Sequence, residues 1–513
     1  MRWDDDPFSM FTALSEPQFI TCGLGLARDQ ERSWLDADDD GGGGEAAESS
    51  SSSPGGSTAA TKEVDARLRA LRLDLGDDHP DVATATDAAA RACSRNGDRD
   101  DALRLHAEAL SLKRGAMGQR HPSVADTLCA MGAALSDGVS LNESLGVYAE
   151  AIEIYESALA EGEGVDEGGG KCGRSGSEGS GVGRNSPAVE AALRHSLVGA
   201  RNAAGSIKFD QQRYDAAMED YGEALRQARG AVRLLEGAAD SAVAEAQQAS
   251  EVVRDGGGVP CAEEKQWRRM AQAARTHVAD SLSNVASVHA ERKRWAHAIS
   301  RYNEALGIQM DEHGEADLSV SNTLMNIGTM QFRFGNYPLA LKAYKQAWKM
   351  RNNLLGRKRI EVSDALVSIA MVHERTGDAR RAEINYSAAH RVACRAVGLN
   401  NIKVAGIKSS LAGLYSRTSR DDLAVKTYTD VWKLYKLHGL DDDHHLVKSA
   451  AKNIAEIKFR NQDDMAAAVV AFYEVLTFFS HMSPSAFNID DPVVDGFLGK
   501  VGKANAHFSM AVC

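Results

Sequence analysis

Three arginine side chains recur at intervals of 42 residues and could together bind negatively charged groups. They are Arg333, Arg375 and Arg417, here called the arginine row. A guanidinium group can hold a carboxylate through two parallel hydrogen bonds, so such a row suits an acidic peptide. Basic residues near the C-terminal end of a helix also interact favourably with the helix dipole, which is the alternative explanation of the series.

Two asparagines and one lysine occupy a second recurring position, earlier in the same predicted helices. Asn284 and Asn326 match each other in the repeat described below, and Lys452 is their counterpart in its last copy. An asparagine side chain carries both donor and acceptor groups and can therefore hydrogen-bond to a peptide backbone. These three residues and the arginine row are the candidate peptide-binding residues.

The sequence lacks the motifs that mark common catalytic and cofactor sites. It contains no Gly-x-x-x-x-Gly-Lys-Ser/Thr phosphate loop, no His-Glu-x-x-His zinc motif, no nucleophile elbow and no kinase signature. The run from Asp441 to His445 could hold a metal by its composition, but its place between two predicted helices favours a solvated loop. We therefore expect no catalytic residue, no cofactor and no metal.

A repeat of 42 residues must position the candidate residues. Its clearest sign is a column of tyrosines, each preceded four positions earlier by a small residue. The column contains Tyr302, Tyr344, Tyr386 and Tyr428, and also Tyr148 and Tyr221 once two insertions are removed. A period of this length indicates a stack of similar supersecondary units, built for binding rather than for catalysis.

Each unit has the pattern of two helices joined by a short turn. In the unit from Ser321 to Val362, apolar and small residues recur at the spacing of one helix face until Gly335-Asn336-Tyr337 interrupts them. The residue seven positions before this break is glycine or alanine in almost every unit, so the two helices are expected to approach closely there. One pair cannot bury all of its apolar surface, so each must stack on the next.

This pattern resembles the tetratricopeptide repeat, whose ordinary unit has about 34 residues. The longer unit resembles the kinesin-light-chain-like subgroup, which also carries Gly-x-x-His-Pro-x-Val-Ala between units. That motif stands at Gly76–Ala83 and Gly118–Ala125, with weakened copies at Gly314–Val320, Gly356–Val362 and Gly398–Val404. The resemblance covers residues 64–480.

The resemblance implies an all-α fold, a right-handed α-solenoid of helical pairs whose first helices line a concave groove for extended peptides. It also implies an adaptor, because kinesin light chains are regarded as cargo adaptors whose repeats bind acidic peptides containing tryptophan. This chain departs from them in residues 1–62, which lack the heptads of their coiled coil. Motor attachment by that route is therefore not predicted.

Charge and composition limit the function classes further. Residues 1–60 hold 12 acidic and 3 basic residues, whereas residues 271–480 hold 29 basic and 22 acidic ones. The positive region is not basic enough to indicate a nucleic-acid partner. The seven cysteines show no paired spacing, and the sequence has neither an apolar run of membrane length nor a signal-peptide pattern. These features predict a cytoplasmic protein, with the nucleus as the alternative.

Repeat and composition together divide the chain into five regions. They are a disordered acidic tail at 1–62; a capping helix with the first two repeats at 63–160; a flexible Gly/Ser-rich insertion at 161–187; repeats three to eight at 188–480, with a helical insertion at about 229–268; and a C-terminal capping helix and tail at 481–513.

The acidic tail contains two tryptophans beside acidic residues, Trp3 and Trp34. Because the tail and the rear half carry opposite charges, one hypothesis is that the tail occupies the groove of its own chain until a partner displaces it. The alternative is a solvated tail without that role.

The leading prediction is a non-enzymatic scaffold or adaptor that binds a protein segment in its groove. An alternative from another class is a sensor or regulatory subunit of an associated enzyme or signalling complex. A catalytic protein with an unrecognised site is a third possibility. The identity of the partner and the oligomeric state stay open at this stage.

Overall fold

The computed structural model is almost entirely helical in the part of the chain that it describes, which is residues 68–76, 79–136, 140–163, 186–252, 262–314, 316–441 and 444–460. The predicted tail at 1–62, the C-terminal cap at 481–513 and most of the insertion at 161–187 lie outside the described residues. The described residues belong to two compact units, one ending at Gly314 and one that follows it.

The first unit, residues 68–314, has nine helices in its described part. They are α1 (68–75), α2 (Pro80–Asn96), α3 (Arg99–Met117), α4 (Pro122–Ser136), α5 (Leu141–Glu163), α6 (Pro187–Asp210), α7 (Tyr214–Val252), α8 (Ala262–Glu291) and α9 (Trp295–His313). The second unit, residues 316–460, has seven in the part described. They are α10 (Leu318–Phe334), α11 (Tyr337–Leu354), α12 (Ile360–Arg375), α13 (Ala379–Val397), α14 (Ile402–Arg417), α15 (Asp421–Leu437) and α16 (His445–Arg460).

Within each unit, described helices that are adjacent in sequence from α2 onward pack against each other as antiparallel pairs, consistent with a tetratricopeptide-type solenoid. From α2 onward, even numbers mark the first helix of a pair and odd numbers the second. Within each unit some first helices also touch the first helix of the next pair, as α6 touches α8 and α10 touches α12. The predicted all-α class of paired helices is confirmed, and the right-handed superhelix stays a prediction.

Several first helices begin with a side chain that accepts a hydrogen bond from the backbone two residues later. His79 Nδ1 accepts from the backbone N–H of Asp81 at 3.2 Å, and Pro80 follows where a helix needs no donor. Where the His-Pro pair is absent, Asp317 and Asn401 cap α10 and α14 in the same way. Two of the three weakened copies therefore keep the capping chemistry, whereas Arg359 precedes α12 without a side-chain hydrogen bond.

The turn inside a pair requires the left-handed backbone conformation. Gly335 adopts it with φ 90°. Gln212, Lys293 and Ser419 occupy the same repeat position with φ of 60°, 57° and 56°. A residue with a Cβ loses about 1–2 kcal/mol in this conformation, so the two helices on either side must hold these three turns in place.

The tyrosine column packs into the space left by the small residue of the first helix. A Cβ added to Gly328 would lie 2.6 Å from Cε1 of Tyr344, which no real Cβ could tolerate. The Tyr344 ring is buried and also belongs to a cluster with Ile369 and Val372 of α12, the first helix of the next pair. One ring therefore fixes the spacing within its pair and joins that pair to the next.

The first pair replaces its tyrosine with a buried charged cluster. His106 stands in the tyrosine register of α3, and its Nδ1 lies 3.0 Å from Asp87 Oδ1. Lys113 Nζ donates to Asp87 Oδ2 at 3.1 Å and to Thr127 Oγ1 at 2.7 Å. Burial alone would raise the pKa of the Asp87 carboxyl, but the His106 hydrogen bond and the charges of Arg91 and Lys113 hold it well below its usual range.

Two helices of the first unit are much longer than the others, with 39 residues in α7 and 30 in α8. The predicted helical insertion at about 229–268 falls on the end of α7 and the start of α8. Ala231 and Leu235 of α7 pack there against Ala271 and Ala274 of α8, and Ala191 from the start of α6 joins the cluster. The first part of the extra length is therefore packed in a cluster formed by α6, α7 and α8.

Gly205 and Gly222 form a matched pair for testing the glycine–tyrosine packing. A Cβ on Gly205 would lie 2.7 Å from Tyr221 Cε1, whereas one on Gly222, in the neighbouring helix, would meet nothing within 4 Å. We expect Gly205→Ala to lower the free energy of unfolding by about 1–3 kcal/mol because the ring must move. Gly222→Ala should raise it by about 0.5–1 kcal/mol through helix propensity. Urea unfolding measures both, and a stabilising effect at both positions would contradict the packing argument.

Candidate functional site

The arginine row lies where three successive first helices of the second unit end. Arg333 is in the last turn of α10, Arg375 in that of α12 and Arg417 in that of α14. Arg333 is half-buried and the other two are exposed. The row is therefore accessible to a ligand along the first-helix side of this unit.

Two members of the row contact the first helix of the preceding pair. Arg375 Cζ lies 6.0 Å from the centroid of the Phe332 ring on α10. Arg417 forms an ion pair with Glu374 on α12. The three guanidinium groups thus differ in their surroundings, which the regular spacing in the sequence does not reveal.

Glu374 is held in place by Tyr386, the tyrosine on the second helix of the same pair. In the pair before it, Tyr344 donates its hydroxyl hydrogen to Thr329 Oγ1 at 3.0 Å. The corresponding position in the next pair is Met371, which has no hydroxyl, and Tyr386 donates instead to Glu374 Oε2 at 2.7 Å. Glu374 therefore joins Tyr386 to Arg417 and competes with any outside carboxylate for that arginine.

The charge of the second unit favours an acidic ligand. Residues 316–460 contain 24 basic and 13 acidic residues, a net charge of +11. Residues 68–314 contain 28 basic and 38 acidic residues, a net charge of −10. Opposite charge raises the rate and selectivity of association, so the two units differ in their electrostatic attraction for a charged ligand.

The other predicted site residues are divided between the two units. Asn326, half-buried on α10, and Lys452, exposed on α16, lie in the same unit as the arginine row. Asn284 lies on α8 in the first unit and is only 3% exposed. Trp3 and Trp34, the candidate segments of the tail, lie outside the described residues.

Asn284 has a polar neighbour one turn away that the sequence-based reasoning did not select. Asp280 is 4% exposed, and burial raises the pKa of its carboxyl to about 8. Within the described part of the chain, this carboxyl has no hydrogen bond or ion pair, and Asn284 Nδ2 has no hydrogen-bond partner. Such groups are rare in folded proteins, because leaving them unsatisfied costs about 1–3 kcal/mol each.

Other polar side chains stand within one turn of this pair on α8 or contact those residues from α6. Asn202 Nδ2 of α6 donates to Ser281 Oγ of α8 at 3.2 Å, while Asn202 Oδ1 is buried and makes no hydrogen bond within the described residues. Toward the start of α8, the rings of His277 and His195 meet edge to face with centroids 4.2 Å apart. His195 is exposed and His277 half-buried, so this polar strip runs from the surface toward Asp280.

Two pairs of the first unit carry acids at the repeat position of the arginine row. Asp210 stands there at the end of α6, and Glu291 at the end of α8, whereas Arg95 occupies it at the end of α2. Following the register of the row backward through the chain would have found all three residues. The position therefore carries an acid in α6 and α8 and an arginine in α10, α12 and α14.

The run from Asp441 to His445 takes part in helix capping. His444 Nδ1 accepts from the backbone N–H of Leu446 at 3.3 Å, and the His444 and His445 rings stack. Among the residues that the structure describes, no three potential ligands are arranged to hold a metal. None of the described helices combines the length and the apolar character that crossing a membrane requires.

Comparisons with known proteins agree with the fold. Profiles of the tetratricopeptide repeat family match residues 277–353 and 82–123. No curated protein matches the sequence.

Several solved structures are distantly similar. BtubC (BKLC) from P. vanneervenii is 16% identical, with 49% of this chain and 94% of that chain covered and a TM-score of 0.34. A protein of Podosopora anserina, described as a putative kinesin light chain with nearly identical repeats, is 12% identical over 40% of this chain and 97% of its own, with a TM-score of 0.35. A Rap protein complexed with Competence and Sporulation Factor is 12% identical over 88% and 99%, with a TM-score of 0.36.

The helical pairs and the family profiles define a helical-repeat protein of a class that generally mediates contacts between proteins. The chain contains tetratricopeptide repeats, as its sequence predicted. Both matching family profiles describe tetratricopeptide repeats.

The buried Asp280 carboxyl predicts a pH dependence of stability. Its pKa is raised from 3.8 to about 8, so between these pH values the folded chain holds a proton that the unfolded chain has released. The contribution of Asp280 to stability therefore falls as the pH rises through this window, by about 1.4 kcal/mol per pH unit. We expect Asp280→Asn to remove this slope and to be more stable than the wild type near neutral pH.

Urea unfolding of both proteins between about pH 5 and about pH 7 measures the slope. Asp311→Asn is the matched control, because Asp311 is exposed on α9 and should keep the wild-type dependence. If Asp280→Asn follows the wild-type pH profile, the carboxyl is ionised in the folded chain and the argument fails.

Proposed function

We propose that the chain is a non-enzymatic adaptor whose second unit, residues 316–460, binds an acidic segment of a partner protein. The observation that carries this proposal is the arginine row at the ends of three successive first helices. The net charge of +11 in this unit supports the same ligand class. Repeated first helices suit an extended segment, because each pair offers a similar contact one step further along.

The contacts of the row indicate how an acidic segment binds. Arg375 lies over the Phe332 ring and is exposed to solvent, so its N–H groups are able to hold a carboxylate. At Arg417 a ligand carboxylate takes the place of Glu374, which remains hydrogen-bonded to Tyr386. Asn326 lies on α10 with Arg333, and Lys452 lies on α16. Asn326 extends the contact to the backbone of the segment, and Lys452 extends it to further acidic side chains.

Specificity then arises from many weak contacts along the segment. Each exposed charge pair contributes about 0.2–1 kcal/mol, so one pair cannot select a partner but several in register can. On the basis of these contacts we propose a cargo-adaptor-like role. The cytoplasm is proposed as the compartment because of the cysteine spacing and the other sequence features described above.

Charge reversal of the arginine row tests the proposal directly. We expect Arg333→Glu/Arg375→Glu/Arg417→Glu to weaken binding of a short glutamate-rich peptide by about 100-fold, since three favourable contacts become repulsive. Fluorescence anisotropy measures the affinity. Affinity purification with the wild type and the variant side by side identifies the natural partners as those lost only in the variant.

The chain offers a control with the same period and the same change in charge. Lys349, Arg391 and Lys433 are exposed on the second helices α11, α13 and α15, also 42 residues apart. Reversing these three should reduce affinity by less than about threefold, because they act only through long-range, screened charge. Equal losses in the two triple variants would show that net charge, rather than the row, holds the peptide.

Removing the internal competitor should strengthen binding. We expect Glu374→Gln to raise the affinity for the glutamate-rich peptide by about 3–10-fold, because Arg417 loses its partner while glutamine can still accept from Tyr386. Glu383→Gln is the control, since Glu383 holds Arg420 through two hydrogen bonds of 3.1 and 2.9 Å outside the row. Unchanged affinity in Glu374→Gln would place the ligand away from Arg417.

A further inference from the structure

The first unit contains a buried acid and a buried amide that have no partner among the described residues. Asp280 and Asn284 lie one turn apart on α8 and are 4% and 3% exposed. The carboxyl can accept hydrogen bonds or balance a positive charge, and Asn284 Nδ2 can donate one hydrogen bond. In the described part of the chain, no charged or hydrogen-bonding group shifts the Asp280 carboxyl and Asn284 Nδ2 has no hydrogen-bond partner, so both groups are available to a ligand.

The charge around the pair selects a cation. The first unit has a net charge of −10, and Glu291, at the end of α8 itself, occupies the position that arginine holds in the row. A buried carboxyl without a positive neighbour is kept neutral by desolvation, and an ammonium or guanidinium group brought beside it restores the charged form. Lysine and arginine carry such groups at the end of a long apolar stem that can enter a narrow space.

The polar strip toward the start of α8 supplies the direction of entry. His195 is exposed, His277 is half-buried and Asp280 follows one turn further along α8. The exposed end of the strip lies next to the edge-to-face histidine contact of 4.2 Å. The strip therefore gives the direction from which the terminal group of a long side chain would approach the carboxyl.

We propose that Asp280 receives the cationic side chain of a lysine or arginine from a partner segment, and that Asn284 donates to a backbone carbonyl of that same segment. This site lies in the first unit, takes the opposite charge from the arginine row and does not depend on it. The chain accordingly recognises a basic segment with residues 68–314 in addition to the acidic one proposed for residues 316–460.

Titration of Asp280 can be observed without interference from its polar neighbours. Burial, with the nearby His195, lowers the pKa of His277 to about 3, and partial desolvation of the His195 ring by its neighbours lowers the pKa of His195 against the opposing charge of Asp126 on α4. Both rings are therefore neutral above about pH 7. Among the described residues, no charged group of α6, α7 or α9, the helices packed on α8, shifts the Asp280 carboxyl.

The test measures binding of a short unstructured lysine-rich peptide to the full chain at about 0.15 M salt. Because the cation binds the ionised carboxyl, we expect the affinity to rise by up to about tenfold per pH unit from pH 6 to pH 8. Asp280→Asn should reduce the affinity at pH 8 at least about tenfold and remove the pH dependence. Asp311→Asn, an exposed aspartate on α9, should behave as the wild type.

Three results would overturn the proposal: no binding of the lysine-rich peptide to the wild type, wild-type affinity in Asp280→Asn, or a pH dependence that survives in that variant. The variant is expected to fold, because asparagine has the size of aspartate and is cheaper to bury. The charge-reversed arginine row serves as the cross-control. It should leave binding of the lysine-rich peptide intact while abolishing that of the glutamate-rich peptide, so the two sites can fail or succeed separately.

Discussion

The contact between a small residue of the first helix and a tyrosine of the second is the constraint on which the described helical pairs depend. At Gly328 there is no room for a Cβ beside Tyr344, so the two backbones approach as closely as glycine allows. The same ring packs against Ile369 and Val372 of the next pair. Spacing within a pair and stacking between pairs are therefore set by a single side chain, and a change there is felt in both directions along the unit.

Much of the fold follows from chemistry that is local in sequence. The spacing of small and aromatic residues predicts the pairs, and His-Pro predicts the start of a first helix. Where those signals weaken, other residues make the equivalent interactions. Asp317 and Asn401 cap helices in place of histidine, and Lys293 adopts the backbone conformation expected of glycine. The place of a residue in the repeat was enough to predict these caps and turns, because each depends on the backbone of only one or two helical turns.

The interactions of the candidate sites could not be predicted in the same way, because they depend on the neighbouring helix. The period places Arg417 at the end of a first helix, but its pairing with Glu374 follows from the previous repeat, where Met371 offers no hydroxyl to Tyr386. Similarly, Asn284 was found by its register, whereas the burial of Asp280 beside it arises from the packing of α8. The period of the sequence predicts the helix and the helix face on which a residue lies. The side chains with which it interacts depend on how the neighbouring helices pack.

A repeated frame also lets one chain carry two recognition chemistries without altering the fold. The position at the end of the first helix lies outside the glycine–tyrosine contact, so packing tolerates Glu291 in one unit and Arg333 in the other. At physiological salt the Debye length is about 8 Å, and a bound ligand therefore responds chiefly to the charges nearest to it. The net charges of the two units differ in sign, −10 against +11, so under both proposals a ligand suited to one is disfavoured by the other. Substitution at an exposed register position changes the local charge, while the helices that present it stay the same.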